Sequence, residues 1–389
     1  MGVMNSKERV INQILGKEVD HVPLMGGWFH GVANLASIAG VSTDDYLQDP
    51  LAGLLGANRN LGVDCMIKPI VPDRLDQIRT GESLDESFEG VEPETLKEIG
   101  DRVPDTRDKI LGAFDVHAVE AAYRHYFEEW MAVLGDLVLI PNFWEAVPDF
   151  HLYSKYGYHA YLGATALYPE AVGRMFWKDA TEARARNEIL VRLIAEYDLP
   201  PMLFTGGDVC NNRGPMCTPR FLRKHYFPEA AYALEPLFDA GIRVVRHCDG
   251  NVMPLIDDFV ELGYSGFQGF QYECGVDPWQ FSQRKSIFGR RLLFFAGLNV
   301  TRTLPYGSTD DVRAEIDYVM DYTEGGQGLF FFTSSSIGPE VPCENIVFAH
   351  EYVASGQYLR DRGADRWTLW PGLEIGSVEG AKGTSVHSH

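Results

Sequence analysis

The sequence lacks the apolar segments of membrane proteins and the basic surface of nucleic-acid-binding proteins. No stretch among its 389 residues approaches the roughly 18 continuous apolar residues of a transmembrane helix. Acidic residues outnumber basic ones by 55 to 34, which gives a net charge of −21. This charge argues against nucleic acid and anionic membranes as partners, because both attract basic surfaces. The start also lacks the apolar core of a secretory signal, so we expect a cytoplasmic protein.

Cysteine is scarce, and its spacing suggests no pairing. The six cysteines are scattered and none belongs to a CxxC motif. A disulfide framework is therefore not expected in a chain of this size without a secretory signal. A lone cysteine is usually a small buried hydrophobic residue. Cys210 and Cys274 are the better candidates for metal ligands, because they lie near the ends of predicted strands.

Composition and local patterns indicate one large domain. Hydrophobic residues make up 45% of the chain, which is sufficient for a full core. Residues 1–375 are predicted to form this domain. Residues 376–389, which are rich in Gly, Ser, Lys and His, are predicted to be a disordered tail. Residues 73–108 are acidic and are interrupted by Gly and Pro, and we interpret them as an inserted hairpin region.

Short apolar runs alternate with segments of helical periodicity along most of the chain. The predicted strands cover residues 22–29, 65–70, 137–141, 201–208, 243–250, 267–271, 292–297 and 329–333. The predicted helices cover residues 5–15, 44–60, 115–133, 181–197, 218–241, 254–262, 308–322 and 342–358. This alternation predicts an α/β protein with a parallel sheet, and about eight such units favour a (β/α)8 TIM barrel. No GxGxxG motif follows a strand, which weakens a dinucleotide-binding alternative.

In a parallel barrel, catalytic groups follow the carboxyl ends of the strands. His247 and Asp249 are two residues apart at such an end, so their side chains share one face. Together they could hold a divalent metal ion or form an acid–base pair. The equally weighted alternative is that His247 bonds neighbouring loops and Asp249 caps the next helix.

Asp208 follows two glycines at another strand end. Glycine permits close approach of a ligand to the backbone, and the carboxylate would be a catalytic or substrate-orienting group. The alternative is a simple turn aspartate. Other strand-end residues are candidates for substrate binding: Trp28, His30, Asn211, Gln268, Gln271, Asn299 and Ser335.

Several segments together resemble the uroporphyrinogen decarboxylase superfamily. They are Gly-Gly-Asp at 206–208, Gly-Pro-Met-Cys-Thr-Pro at 214–219, His-Cys-Asp-Gly-Asn at 247–251, Gly-Leu-Asn at 297–299, Leu-Pro-Tyr-Gly at 304–307 and Pro-Cys-Glu-Asn-Ile at 342–346. The opening Asn-Ser-Lys-Glu-Arg-Val at 5–10 and His-Val-Pro at 21–23 also resemble the start of that family. The resemblance implies a barrel with its active site at the carboxyl ends of the strands.

The superfamily includes the decarboxylase itself and many corrinoid-dependent methyltransferases. The decarboxylase binds the carboxylates of its substrate through arginines in a loop after the first strand. Residues 26–34 of this chain occupy that loop and contain no arginine. The sequence therefore argues against a polyanionic tetrapyrrole as substrate.

The thiol methyltransferases of the superfamily bind zinc through a His-x-Cys pair and a later Cys. Here His247 is retained, Asp249 stands in place of the first Cys, and Ser335 lies near the place of the second. Oxygen ligands beside one histidine suit a site that polarises an ether or hydroxyl oxygen. The resemblance thus implies zinc or another divalent metal held by His247 and Asp249, and a corrinoid carried by a partner protein.

The resulting hypothesis is an O-demethylase-like methyltransferase that moves a methyl group from a small methoxylated substrate to a corrinoid protein. Two alternatives remain open. One is a cofactor-free decarboxylase of a small organic acid, and the other is a barrel that binds a small molecule without catalysis. The sequence leaves the substrate and the oligomeric state undetermined.

Overall fold

The computed structural model describes residues 3–74 and 91–359 as an α/β structure with parallel sheets. Its strands are β1 (Met25–Gly26), β2 (Cys65–Met66), β3 (Val138–Leu139), β4 (Met202–Gly206), β5 (Cys210–Asn211), β6 (Gly214–Pro215), β7 (Arg243–His247), β8 (Gly266–Gln268), β9 (Leu293–Leu298) and β10 (Leu329–Thr333). The predicted tail at residues 376–389 lies outside the described residues.

Helices follow most of the strands. They are α1 (Ser6–Leu15), α2 (Val32–Ala39), α3 (Thr43–Gln48), α4 (Pro50–Asn60), α5 (Pro93–Asp101), α6 (Arg107–Leu111), α7 (Val116–Leu134), α8 (Leu152–Tyr156), α9 (Tyr158–Leu167), α10 (Pro169–Glu196), α11 (Pro219–Phe221), α12 (Phe227–Asp239), α13 (Ile256–Leu262), α14 (Pro278–Ser282), α15 (Thr303–Tyr306), α16 (Thr309–Tyr322) and α17 (Cys343–Ser355). A π-helical turn, Leu222–Tyr226, joins α11 to α12.

The parallel strands form two sheets that meet at both edges. One sheet has the order β1-β2-β3, and the other has the order β10-β9-β8-β7-β4. The ladder between them is not continuous. Isolated parallel bridges join Leu24 to Phe331 and Phe29 to Ile337 on the side of β1 and β10, and another joins Asn142 to Phe204 beside β3 and β4. This arrangement is compatible with a TIM-barrel-like fold.

Alternate residues of the strands contribute to two different parts of the core. In β10, Phe330 and Phe332 belong to a cluster with residues of the other parallel strands, whereas Leu329 and Phe331 pack in the large cluster that includes the helices. Val10 and Ile14 of α1 join the first cluster. The strands are therefore buried on both faces, as their continuous apolar runs predict.

Two predicted helix starts are confirmed. The Thr218 hydroxyl accepts the N–H of Phe221, with Pro219 in the first turn. Ser308 and Asp311 form a capping box at the start of α16. Such caps satisfy backbone N–H groups that have no partner within the helix.

The inserted hairpin predicted for residues 73–108 is wrong where the structure describes it. Helix α5 and the first two residues of the short α6 lie in this region instead, and residues 75–90 lie outside the described residues. Pro93 is in the first turn of α5, where its missing N–H costs nothing, so it starts a helix rather than breaking one. The single helix predicted for residues 44–60 is divided in two at Asp49.

Within the described ranges, no helix combines the length and the apolar character required to cross a membrane.

Candidate functional site

The carboxyl ends of β4 and β7 bring Asp208, His247 and Asp249 together. One side-chain ligand atom from each lies within 4.8 Å of the others. His247 is the last residue of β7, and β4 runs parallel to it with Gly206 paired opposite His247. Because neighbouring parallel strands end on the same side, Asp208 reaches the end of β7 just after β4 stops.

The two glycines before Asp208 allow this close approach. Both adopt positive φ angles, 138° for Gly206 and 141° for Gly207. A Cβ atom on Gly206 would lie 2.4 Å from the carbonyl oxygen of His247, and one on Gly207 would lie 2.7 Å from Cε1 of His151. A side chain at either position would push Asp208 away from the strand end, so the Gly-Gly pair has a steric reason.

Gln268 of β8 orients the imidazole of His247. The amide nitrogen of Gln268 donates hydrogen bonds to the carbonyl oxygens of Thr333 at 3.0 Å and Ser334 at 3.1 Å. Its oxygen therefore faces His247 and accepts the Nδ1 proton. His247 Nε2 is left 3.5 Å from Oδ1 of Asp208. In the neutral imidazole this nitrogen carries a lone pair, as a metal ligand requires.

The two carboxylates are close and poorly solvated. Oδ1 of Asp208 accepts the backbone N–H of Asp249 at 2.7 Å. Oδ2 of Asp249 accepts a hydrogen bond from the Ser335 hydroxyl at 3.4 Å, whereas its buried Oδ1 has no hydrogen-bond partner among the described residues. Burial, followed by repulsion from Asp208, raises the pKa of the Asp249 carboxyl well above its usual range. A cation or a proton would relieve this unfavourable arrangement.

His151, which the sequence analysis did not select, also contacts this group. Its Nε2 accepts the backbone N–H of Asp208 at 2.9 Å. Burial lowers the pKa of His151, which favours the neutral ring that such an acceptor needs. Trp144 places its ring edge-on against His247, with 5.5 Å between ring centroids. Both residues follow β3, and His151 lies ten residues past the end of the strand predicted at 137–141, so its position in the sequence did not mark it as a strand-end residue.

A cavity of about 1080 Å³ opens over the three residues. Aromatic side chains form much of its wall: Trp28, Tyr123, Tyr126, Phe143, Trp144, Tyr153 and Tyr158. Its charged residues are of both signs and include Lys68, Glu145 and Arg213 besides the two aspartates. Large apolar walls with a few converging polar groups are typical of small-molecule sites.

The residues predicted to bind substrate divide into two groups. Trp28, Asn211 and Ser335 line the cavity, and so does the predicted metal-ligand candidate Cys210. His30, Gln268, Gln271, Asn299 and Cys274 are not among its lining residues.

Three residues of the second group have structural partners nearby. Gln268 lies against His247, as described above. The Gln271 side-chain oxygen accepts the N–H of Gly250 at 2.6 Å, and the Asn299 amide donates to Glu273 at 2.6 Å. Gln271 therefore supports the loop after β7, whereas Asn299 supports the loop after β9.

The two cysteines proposed as ligands stand apart from the three-residue group, which includes neither of them. A hydrogen bond with Cys248, together with burial, raises the pKa of the Cys210 thiol. Burial raises the pKa of Cys274 to about 12. Both groups are therefore neutral thiols near neutral pH in the metal-free protein.

The donor set fits a divalent metal ion. It offers one imidazole nitrogen and carboxylate oxygens from two aspartates, including a buried oxygen without a described partner. Nitrogen and oxygen ligands of this kind bind zinc in catalytic sites, where three protein ligands leave a position open. The residues present are thus compatible with a metal centre at the base of the cavity.

Comparison with known proteins identifies a similar fold. No protein-family profile matches the sequence, and no curated protein sequence matches it. Among solved structures, a methyltransferase from Methanosarcina mazei superposes with a TM-score of 0.58 at 18% sequence identity. The match covers 91% of this chain and 99% of that one. At this identity the similarity shows the fold, which the two chains share over nearly their whole length.

Proposed function

We propose that this chain is a corrinoid-dependent methyltransferase of the uroporphyrinogen decarboxylase superfamily, built on one closed (β/α)8 barrel. Its substrate is a small methoxylated compound, and the methyl acceptor is a corrinoid carried by a partner protein. The observation that carries the proposal is the Asp208–His247–Asp249 group at the base of an aromatic cavity. The fold shared with a methyltransferase and the sequence motifs around residues 206–208 and 247–251 support it.

Methyl transfer from an ether breaks the bond between the methyl carbon and oxygen. The electron pair stays on the oxygen, and the methyl group passes to the reduced corrinoid. Asp208, His247 and Asp249 would hold a divalent metal, which would stabilise negative charge on the leaving oxygen. Gln268 keeps the proton on Nδ1 of His247, so that Nε2 faces the reacting groups.

The cavity walls are suited to orienting the substrate. Trp28 and Trp144 contact the ring of His247 edge-on from two directions, with centroid distances of 5.4 and 5.5 Å. A flat apolar substrate would lie against these rings with its oxygen directed towards His247. The mixed charges of the cavity offer little attraction to a polyanionic tetrapyrrole, in agreement with the missing arginines at residues 26–34.

The test combines purified protein, a reduced corrinoid protein and a panel of methoxylated aromatic compounds. We expect the absorbance spectrum of the methylated corrinoid to appear with at least one substrate, and zinc or another divalent metal to copurify. His247→Ala should abolish both signals. His125→Ala, which changes a histidine whose side chain is 80% exposed, should preserve them.

Other outcomes contradict the proposal. Absence of methylated corrinoid across the panel would reject methyl transfer. Release of carbon dioxide from a small acid without any corrinoid would indicate a decarboxylase. Saturable binding without turnover, unchanged in His247→Ala, would indicate a barrel that only binds its ligand.

A further inference from the structure

A second cavity, of about 660 Å³, lies at the amino-terminal ends of the strands. It is at the end of β7 opposite to His247. Arg243, the first residue of β7, lines it together with residues after α1 and the Glu324–Gly328 segment before β10. Its charged side chains are four cations and two carboxylates: Lys17, Arg243, Arg290, Arg291, Glu18 and Glu324. This local excess of positive charge contrasts with the net charge of −21 for the whole chain.

Arg243 is the unusual member of this cluster. The residue is 6% exposed, and its guanidinium donates hydrogen bonds to the carbonyl oxygens of Ile14 at 2.8 Å, Ser265 at 3.1 Å and Arg291. Within the described ranges no carboxylate forms an ion pair with it. Burial and the positive charge of Arg290 lower the pKa of Arg243 to about 10. A buried charge without a counter-ion is costly, so an anion in the cavity would stabilise this arrangement.

The neighbouring arginines are only partly neutralised. Arg291 donates to Glu324 at 2.6 Å through one terminal nitrogen, while its other terminal nitrogen is buried without a described partner. Arg290 is exposed at the edge of the cavity. The planar guanidinium groups of arginine match the oxygen geometry of phosphate.

We propose that this cavity is a binding site for a phosphate-bearing small molecule, held by Arg243, Arg290 and Arg291. Four cations against two carboxylates leave an excess of two positive charges, which matches the charge of a phosphate monoester near neutral pH. The volume also exceeds what a single inorganic phosphate ion requires. The site is separate from the candidate methyltransferase site and does not depend on that proposal.

Isothermal titration calorimetry tests the site with two probes, inorganic phosphate and phenyl phosphate. Potassium chloride at the same ionic strength serves as the reference. We expect saturable one-to-one binding to the full-length protein, and tighter binding of phenyl phosphate if the natural ligand is an organic phosphate. Either probe should also raise the melting temperature, because a ligand that binds only the folded state stabilises it.

Arg290→Ala is the informative variant, because an exposed arginine can be removed without disturbing the core. It should weaken binding about tenfold, as expected for the loss of one charge-assisted hydrogen bond. Arg220→Ala removes an exposed arginine elsewhere, and His247→Ala changes the candidate catalytic site. Both should bind the probes as the wild type does.

Two results would overturn the proposal. One is the absence of saturable binding of both probes up to about 10 mM, a concentration that detects even millimolar affinity. The other is equal affinity in the wild type and Arg290→Ala, which would place the anion elsewhere on the protein.

Discussion

The side-chain amide of Gln268 holds His247 in one orientation, because its oxygen accepts the Nδ1 proton while its nitrogen donates to the backbone carbonyls of Thr333, at the end of β10, and Ser334. The amide cannot rotate without losing both of those bonds. Nε2 of His247 is therefore the nitrogen that faces Asp208 and the cavity. This relationship gives a first prediction.

Replacing Gln268 with Leu should weaken metal binding about 10- to 100-fold, the usual effect of losing the partner that orients a metal-binding histidine. Gln268→Glu is the matched comparison, since it also disturbs the bonds to Thr333 and Ser334 but still offers His247 an oxygen acceptor. It should retain most of the affinity. Zinc affinity, measured by competition with a chelating dye, checks both variants. Equal losses in the two would show that only the packing of residue 268 matters.

The raised pKa of Asp249 leads to a prediction about stability and pH. The pKa of Asp249 in the folded protein lies above the ordinary value of 3.8. In the metal-free protein, the contribution of this carboxyl to stability is therefore complete below pH 3.8 and is lost as the pH rises through the raised pKa. Asp249→Asn should reduce this decline and raise the melting temperature above neutral pH, while abolishing metal binding. Thermal unfolding of chelator-treated protein between about pH 4 and 8 checks this. Asp239→Asn, on an exposed helix end, should leave the profile unchanged.

Glu315 should make a second contribution to the pH dependence of stability. One oxygen accepts the N–H of Asn299 at 2.7 Å, and the other is buried without a described partner. Burial raises its pKa to about 7 from 4.5, so its stabilising contribution is lost as pH rises through about 7. This loss lowers the free energy of unfolding by at most on the order of 3 kcal/mol.

Glu315→Gln keeps an oxygen for Asn299 but cannot ionise. We expect this variant to be more stable than the wild type at about pH 8, with little difference at about pH 5. Urea unfolding at the two pH values measures the change in free energy. A variant whose pH dependence matches that of the wild type would contradict the assignment.

The two tryptophans that contact His247 should behave differently on truncation. Trp28 is 9% exposed and packs against Phe204 and Phe332, so Trp28→Ala should cost about 3–5 kcal/mol of stability. Trp144 is 39% exposed, so Trp144→Ala should cost much less. Under the proposed function, Trp144→Ala should raise KM for the methoxylated substrate at nearly unchanged stability. Urea unfolding and steady-state kinetics separate the two effects, and an unchanged KM would remove Trp144 from the substrate site.

Much of the strand framework was predictable from the sequence. Runs such as residues 329–333 are apolar on both faces, and this pattern leaves few choices besides a buried parallel strand. The prediction was weakest at β3, where the strand is short and its flanks are poorly marked in the sequence. His151 was missed because its importance comes from its contact with Asp208, far away in sequence. Trp144 was not selected as a site residue because such an aromatic residue is more often part of a core, and its contact with His247 is visible only in the structure.

The sequence by itself determined the alternation of strands and helices, and with it the placement of His247 and Asp249 at the end of one strand, because periodicity and spacing along the chain are local properties. Only the tertiary structure decided that Asp208 joins them and that Gln268 stands behind the imidazole. It also decided that Arg243 and three other cations line one cavity at the opposite end of the strands. These relationships depend on which strands are neighbours and in what register, and many long-range contacts together set that arrangement.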